Sequence, residues 1–239
     1  MPCFEFIAFD ADDTLWHNEI LYTNAQSAFK SLLARYHSPE WIEQRLYETE
    51  IRNLQHFGYG IKGFALSMIE TAVELTEGRI VGSDIQILID LARTMLAADI
   101  ELLDHVSETI AQLAETHALM LITKGDLRDQ ELKIARSGLA QYFRQVEIVS
   151  EKSPAAYAAI LQRHQCVAER FLMVGNSLRS DILPVLALGA SAVYIPYHRT
   201  WAHEAAERPS GDRPGYYEIA HVGLLPGLLA QLKTEPAST

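Results

Sequence analysis

Hydrophobic positions along this chain follow two different rhythms. Near the start, Phe6-Ile7-Ala8-Phe9 forms a short apolar run with no polar alternation. Such a run predicts a strand buried on both faces, as in the interior of a parallel sheet. After Trp16 the spacing turns helical. Ile20, Ala28, Phe29, Leu32 and Leu33 recur at helical intervals, and Pro39-Glu40-Trp41 predicts the first turn of a second helix. Gly58-Tyr59-Gly60 breaks that helix, and residues 64–75 and 85–98 predict two more. No β-branched run interrupts the stretch.

Further on, the two patterns alternate. Strands are predicted over residues 118–122, 146–149, 171–174 and 192–195. Helices are predicted over 127–137, 154–164 and 181–188, with Gly138 and Gly189 closing two of them and Pro154 opening another. This βαβα order predicts an α/β fold, a doubly wound parallel sheet with helices on both faces. The first strand belongs to the same sheet, so the helical stretch reads as an insertion. The expected division is a core of residues 1–16 and 106–239 with a helical domain over 17–105. The polar tail 233–239 is expected to fray.

The strand ends change the picture from architecture to chemistry, because function in an open α/β sheet collects at the carboxyl ends of the strands. The first strand delivers Asp10 and Asp12. Residues i and i+2 of a strand share a face, which puts these carboxylates roughly 6–7 Å apart. Like charges that close raise each other's pKa unless a proton or a cation intervenes. The second strand ends in Thr123-Lys124-Gly125, the third leads into Lys152-Ser153-Pro154, and the fourth into Gly175-Asn176-Ser177 with Asp181 a turn later. One β-α unit separates Thr123 from Lys152, and another separates Lys152 from Asp181. A single sheet edge therefore gathers three acids, a hydroxyl, an ammonium and an amide. Taken singly, Thr123 reads as a turn residue, Lys152 as surface and Asp181 as a helix-start acid. Their shared edge is what argues for a site.

Bulk properties narrow the classes. With 239 residues, 49% hydrophobic and 21% charged, a sizeable core is available. A formal net charge of −11 argues against a nucleic-acid or anionic-membrane partner, though not against a small anionic substrate. The longest charge-free run, 182–198, contains Pro184, Gly189 and Pro196 and falls short of the ~20 residues a membrane span needs. Only Cys3 and Cys166 occur, and the N-terminus enters a core strand without a signal-like segment. A soluble, cytoplasmic protein is expected; oligomeric state is not legible.

Several motifs are set aside. Gly58-Tyr59-Gly60-Ile61-Lys62-Gly63 matches a dinucleotide fingerprint but follows a helix rather than a strand. It reads as a turn, with Tyr59 and Lys62 as candidates to face a substrate. Gly175-Asn176-Ser177 lacks the second glycine of a nucleophile elbow. No P-loop is present, and His198 and His203 do not share a helix face for zinc.

The four strand-end motifs, Phe9-Asp10-Ala11-Asp12-Asp13-Thr14, Ile122-Thr123, Lys152, and Gly175-Asn176-Ser177 to Asp181, resemble those of the haloacid dehalogenase-like hydrolase superfamily, over the whole chain. The resemblance implies a Rossmann-like core with an α-helical cap inserted after the first motif. It implies Asp10 as nucleophile, Asp12 as general acid/base, and Thr123, Lys124 and Lys152 around a phosphoryl group. It also implies Mg²⁺ held by Asp10, Asp12, Asn176 and Asp181. The expected activity is hydrolysis of a small phosphorylated metabolite through an aspartyl-phosphate. A phosphomutase of the same superfamily or a catalytically weak phospho-ligand-binding protein are the alternatives. A dehalogenase would not usually keep an acid at position 12. A phospho-accepting receiver domain would lack the long helical insertion. Two departures stand out: Asn176 replaces the more frequent Asp, and Lys124 replaces a small polar residue.

Overall fold

The computed structural model describes residues 4–199, 201–209 and 213–234. Cys3 and residues 235–239 of the expected frayed tail lie outside them. Six strands among the described residues form one parallel sheet: β1 (Phe6–Phe9), β2 (Ala118–Lys124), β3 (Phe143–Val149), β4 (Phe171–Gly175), β5 (Ser191–Tyr194) and β6 (Tyr216–Glu218). Their order is β3-β2-β1-β4-β5-β6. The chain winds outward from β1 on one side, then returns to β1's other edge with β4. The point where winding reverses is where such sheets open a crevice for ligands.

The apolar runs become strands because both of their faces are covered. In β1, Ile7 and Phe9 enter one hydrophobic cluster while Phe6 and Ala8 enter the other. Leu119 and Leu121 alternate in the same way with Met120 and Ile122, and Leu172 and Val174 with Phe171 and Met173. Each large apolar side chain buried this way is worth roughly 1.5–3 kcal/mol. Phe9 pairs in register with Leu121 of β2 and Val174 of β4. The residues that follow these three strands therefore emerge side by side.

The chain divides into two compact units: Met1–Glu19, Ile100–Lys124 and Glu131–Thr239 form one, and Ile20–Asp99 with Gly125–Gln130 the other. The second unit is built from α1 (Glu19–Leu33), α2 (Pro39–Phe57), α3 (Ile61–Leu75) and α4 (Gly82–Ala97). It has its own core, including Phe29, Leu33, Ile42, Leu46, Phe64, Met68 and Leu88. Ser38 caps α2 by accepting from Trp41 N, just before Pro39.

The sheet unit carries α5 (Val106–Ala114), α6 (Leu127–Arg136, whose first residues cluster with the second unit), α7 (Pro154–Arg163), α8 (Leu183–Leu186) and α9 (Leu225–Thr234). Three elements were not anticipated by the periodicity: α5, β6 and α9. Strand β6 is three half-exposed or exposed residues with no apolar run. It forms because β5 offers an open edge, pairing Ala192 with Tyr216. Strand β3 starts at Phe143, earlier than its apolar segment, since a sheet-edge strand tolerates Arg144, Gln145 and Glu147. The helix expected over 181–188 is instead a π-helical turn, Leu178–Ile182, followed by the short α8.

Candidate active site

Asp10 follows the last residue of β1, and its N–H extends the ladder to Val174 O at 2.9 Å. One carboxylate oxygen, Oδ1, accepts from Lys152 Nζ at 2.5 Å; the same ammonium donates to Asp181 Oδ1 at 2.7 Å. Lys152 is placed by the start of α7, where Ser153 caps Ala156 N and Pro154 occupies the first turn. Asp181 reaches back from the π-helical turn, and Ser177 N donates to its Oδ2 at 2.9 Å. This approach needs a glycine at the end of β4. A Cβ on Gly175 would sit 2.3 Å from Asp181 Oδ2. Thr14 donates to Asp10 Oδ2 at 3.0 Å, and its hydroxyl lies 3.1 Å from Asn176 Oδ1.

The Lys152 and Asp181 side chains are each 1% exposed. One ammonium faces two carboxylates, so the ionised triad carries one net negative charge out of water. Burial pushes the Asp10 carboxyl up, Lys152 opposes that shift, and Asp181 adds to it. Burial disfavours the Lys152 ammonium, yet Asp10 and Asp181 outweigh that and hold it firmly protonated. The Tyr157 phenol, also pushed up by burial, donates to Ser180 O at 3.0 Å.

Asp12 goes elsewhere. Strand β1 stops at Phe9, and residues 11–16 fold into a turn with Leu15 N donating to Ala11 O and Asp13 at φ +62°. The same-face rule for strands therefore does not carry Asp12 toward Lys152. Its Oδ1 accepts from Trp16 Nε1 at 2.7 Å, and both its oxygens accept from Lys133 Nζ at 3.0 Å. Asp10 and Asp12 therefore meet different ammonium groups. Asp13 caps α1, accepting from Asn18 N at 2.9 Å and Glu19 N at 3.1 Å. Burial lifts its carboxyl to about 6 against the pull of these bonds.

Thr123 is buried at the end of β2. Lys124, the next residue, donates to Ser180 Oγ at 2.8 Å and Glu204 Oε1 at 2.5 Å. The other oxygen of Glu204 accepts from Ser177 Oγ at 2.5 Å and Ser180 Oγ at 2.6 Å. Burial works against ionisation of Glu204, but Lys124 and the three hydrogen bonds hold its carboxyl at about 2. The sequence reading placed an extra cation here; the structure supplies its counter-ion as well. Tyr59 and Lys62 belong to the second unit. Lys62 donates to Asp126 Oδ1 of that unit at 2.7 Å, which, with burial opposing, keeps the Asp126 carboxyl below its ordinary value.

The structure thus brings Asp10, Lys152, Asp181 and Thr14 into one buried hydrogen-bonded set, with the half-buried Asn176 beside Thr14. Sequence reasoning missed Lys133 and Glu204, and gave no role to Ser177 and Ser180 within the fourth motif. Lys133 lies 121 positions from Asp12, and Glu204 lies 24 from Ser180 on a loop after β5. No local motif marks either.

Asp10, Asp181, Asn176 and the main-chain carbonyl of Asp12 are oxygen donors, a set suited to a hard cation. Among the described residues, no three His, Cys, Asp or Glu side chains are grouped to hold a metal ion.

A parallel sheet wound both ways from a strand that ends in a buried acid, with an ammonium and a second acid from the ends of other strands, defines a doubly wound α/β core with a candidate site at its switch point. The chain belongs to the haloacid dehalogenase-like hydrolases: that family's model matches residues 4–189. A haloacid dehalogenase-like family hydrolase from Xanthomonas campestris is 43% identical, with a TM-score of 0.86 over 96% of this chain and 92% of that one. The 2-haloacid dehalogenase of Pseudomonas syringae pv. Tomato DC3000 is 22% identical, with a TM-score of 0.63 over 96% and 99%. Bacillus subtilis YfnB, assigned as a HAD-hydrolase and solved bound to magnesium, is 18% identical, with a TM-score of 0.66 over 95% and 99%. The last two share the fold, and the fold leaves the reaction open. No curated protein matches the chain. Among the described residues, no helix is long and apolar enough to cross a membrane.

Proposed function

We propose that this hydrolase is a Mg²⁺-dependent phosphatase acting on a small phosphate monoester through an aspartyl-phosphate. The observation that carries the reading is the pair of strand-end acids with separate partners, Asp10 on Lys152 and Asp12 on Lys133. Asp10 attacks phosphorus with one oxygen while the ester P–O bond breaks, giving an acyl phosphate and splitting one difficult step into two. Asp12 gives a proton to the departing alkoxide, then takes one from the water that attacks the acyl phosphate. Water thereby restores Asp10 and releases phosphate.

Asp12 also separates this reading from a dehalogenase. A halide leaves as a stable anion and needs no proton, whereas an alkoxide does. Lys152 opposes charge on the phosphoryl oxygens, and Thr123 at the end of β2 supplies a hydroxyl. Lys124, already matched by Glu204, contributes less field.

The donor set fits Mg²⁺, an oxygen-seeking cation that keeps several waters and asks for few protein ligands. Asp10, Asp181, Asn176 and the Asp12 carbonyl would hold it, and its charge would offset the net negative triad and the phosphoryl oxygens. We assign the helical unit the role of a cap, with Tyr59 and Lys62 bearing on substrate choice. A reducing, cytoplasmic setting suits a chain whose Cys166 is a buried free thiol.

The test is phosphate release from a panel of small phosphate monoesters, with and without Mg²⁺, beside halide release from 2-haloacids. Phosphate release that needs Mg²⁺ supports the reading; halide release alone would overturn it. Asn176→Asp, which adds a charged oxygen, should lower the half-saturating Mg²⁺ concentration while lowering metal-free thermal stability by repulsion. Unchanged metal dependence would remove position 176 from the site.

A further inference from the structure

We infer that Lys133 is a positioning residue for the acid–base step, fixing the Asp12 carboxylate together with Trp16 and Asn18. The inference rests on the reading of Asp12 as the group that protonates the leaving oxygen.

Lys133 sits in the second half of α6 with its side chain 9% exposed. An ammonium has three protons. This one lies within hydrogen-bond distance of both oxygens of Asp12, at 3.0 Å, and of Asn18 Oδ1, at 2.9 Å. Asn18 is itself held, its N–H bonded to Asp13 Oδ1. Trp16 is buried, and its ring N–H goes to Asp12 Oδ1. Its main chain bridges to Asp12 on one side and Leu102 on the other. Two rigid donors from different elements therefore grip one carboxylate at both oxygens.

The ammonium meets both oxygens of Asp12 rather than one. Gripping both, with an indole as a further donor, removes the rotational freedom of a side chain that has two torsions. Proton transfer to a leaving oxygen depends on that orientation, and a small misplacement is costly.

The experiment uses the full chain, saturating Mg²⁺, and a series of aryl and alkyl phosphates whose leaving groups differ in basicity. Lys133→Met should lower kcat by about tenfold or more for poor leaving groups and far less for activated aryl phosphates, with KM changed less than about threefold. Trp16→Phe, which keeps an aromatic ring and removes the N–H, should show the same signature more weakly. Lys133→Gln, which retains N–H donors, should recover part of the loss. In an Asp12→Asn background, Lys133→Met should add less than about threefold, because the group it serves is gone. Equal losses across the series, additive with Asp12→Asn, would overturn the inference and leave Lys133 a structural ion pair. If Lys133→Met does not fold, Trp16→Phe and Lys133→Gln decide by the same criteria. A flat response of Asp12→Asn itself would sink the parent reading instead. A steep response of Asp12→Asn with a flat one for the Lys133 and Trp16 variants defeats this inference alone.

Discussion

Lys152 and Arg52 each lie between two carboxylates, one pair in each unit of the protein. In the sheet unit, Lys152 lies between Asp10 and Asp181. In the helical unit, Arg52 of α2 lies between Glu70 and Glu74 of α3, at 2.8 and 3.0 Å. The distances are alike, though Glu74 also pairs with Arg45, and the surroundings are opposite. The Arg52, Glu70 and Glu74 side chains are 42%, 40% and 37% exposed, so water and salt screen them. Asp10 is mostly buried, and Lys152 and Asp181 almost completely. In the exposed site, water supplies any charge the three groups fail to balance. In the buried site it cannot, and the unmatched carboxylate remains available to a cation or a phosphoryl group. Geometry alone does not separate an idle ion pair from a reactive one; solvent access does.

The comparison breaks most sharply at Asp10. Asp10→Asn should cut turnover by ~10⁴-fold or more, since an amide does not attack phosphorus. It should leave the fold intact, because one carboxylate then matches one ammonium. Phosphate release and a thermal melt of the same preparation check both halves, and substantial residual turnover would remove Asp10 as nucleophile. Lys152→Met should follow. It leaves two buried carboxylates unpaired, at a cost of about 3–5 kcal/mol in denaturant unfolding, alongside loss of activity. A loss below about 1 kcal/mol would show that water reaches the triad.

Glu204 sharpens the comparison with a pH dependence. Its carboxyl ionises at about 2 in the folded protein, against 4.5 for an ordinary glutamate. A lowered folded-state pKa gives stability that is complete above about 4.5 and is lost as pH falls toward 2. Glu204→Gln should therefore destabilise the protein at neutral pH, on the order of 2–3 kcal/mol, with the gap narrowing as pH falls through that window. A gap independent of pH would mean the loss is packing rather than charge. The smallest effect belongs to the exposed pair: Arg52→Ala should cost less than about 1 kcal/mol, and added salt should shrink it. A loss comparable to that of Lys152→Met would erase the distinction between the two sites.

Much of the fold was legible because periodicity reports burial. Four apolar runs became β1, β2, β4 and β5, and the helical intervals of residues 20–98 became α1 to α4. Strand β6 was not legible, because its three residues are ordered by the edge of β5 rather than by their own pattern. Part of the site could also be read. Asp10, Thr123, Lys152 and Asp181 lie at strand ends, and the parallel register carries Asp10, Lys152 and Asp181 into one set. Asp12 shows where such reading stops. The strand rule presumed that β1 continued, whereas the turn through Asp13 sends that acid to Lys133.

By itself the sequence determined the parallel α/β core, the helical stretch within it, and the acids, hydroxyl and ammonium at the strand ends. These are consequences of side-chain spacing, which any chain carries in one dimension. Tertiary structure alone decided which cation meets which acid. Lys152 was paired with both Asp10 and Asp181, Lys133 with Asp12, and Glu204 with Lys124. Those partners are distant along the chain, and their energies depend on being withdrawn from water together. Burial is a property of the folded sheet and its loops, so the matching of charges appears only once the chain has closed around them.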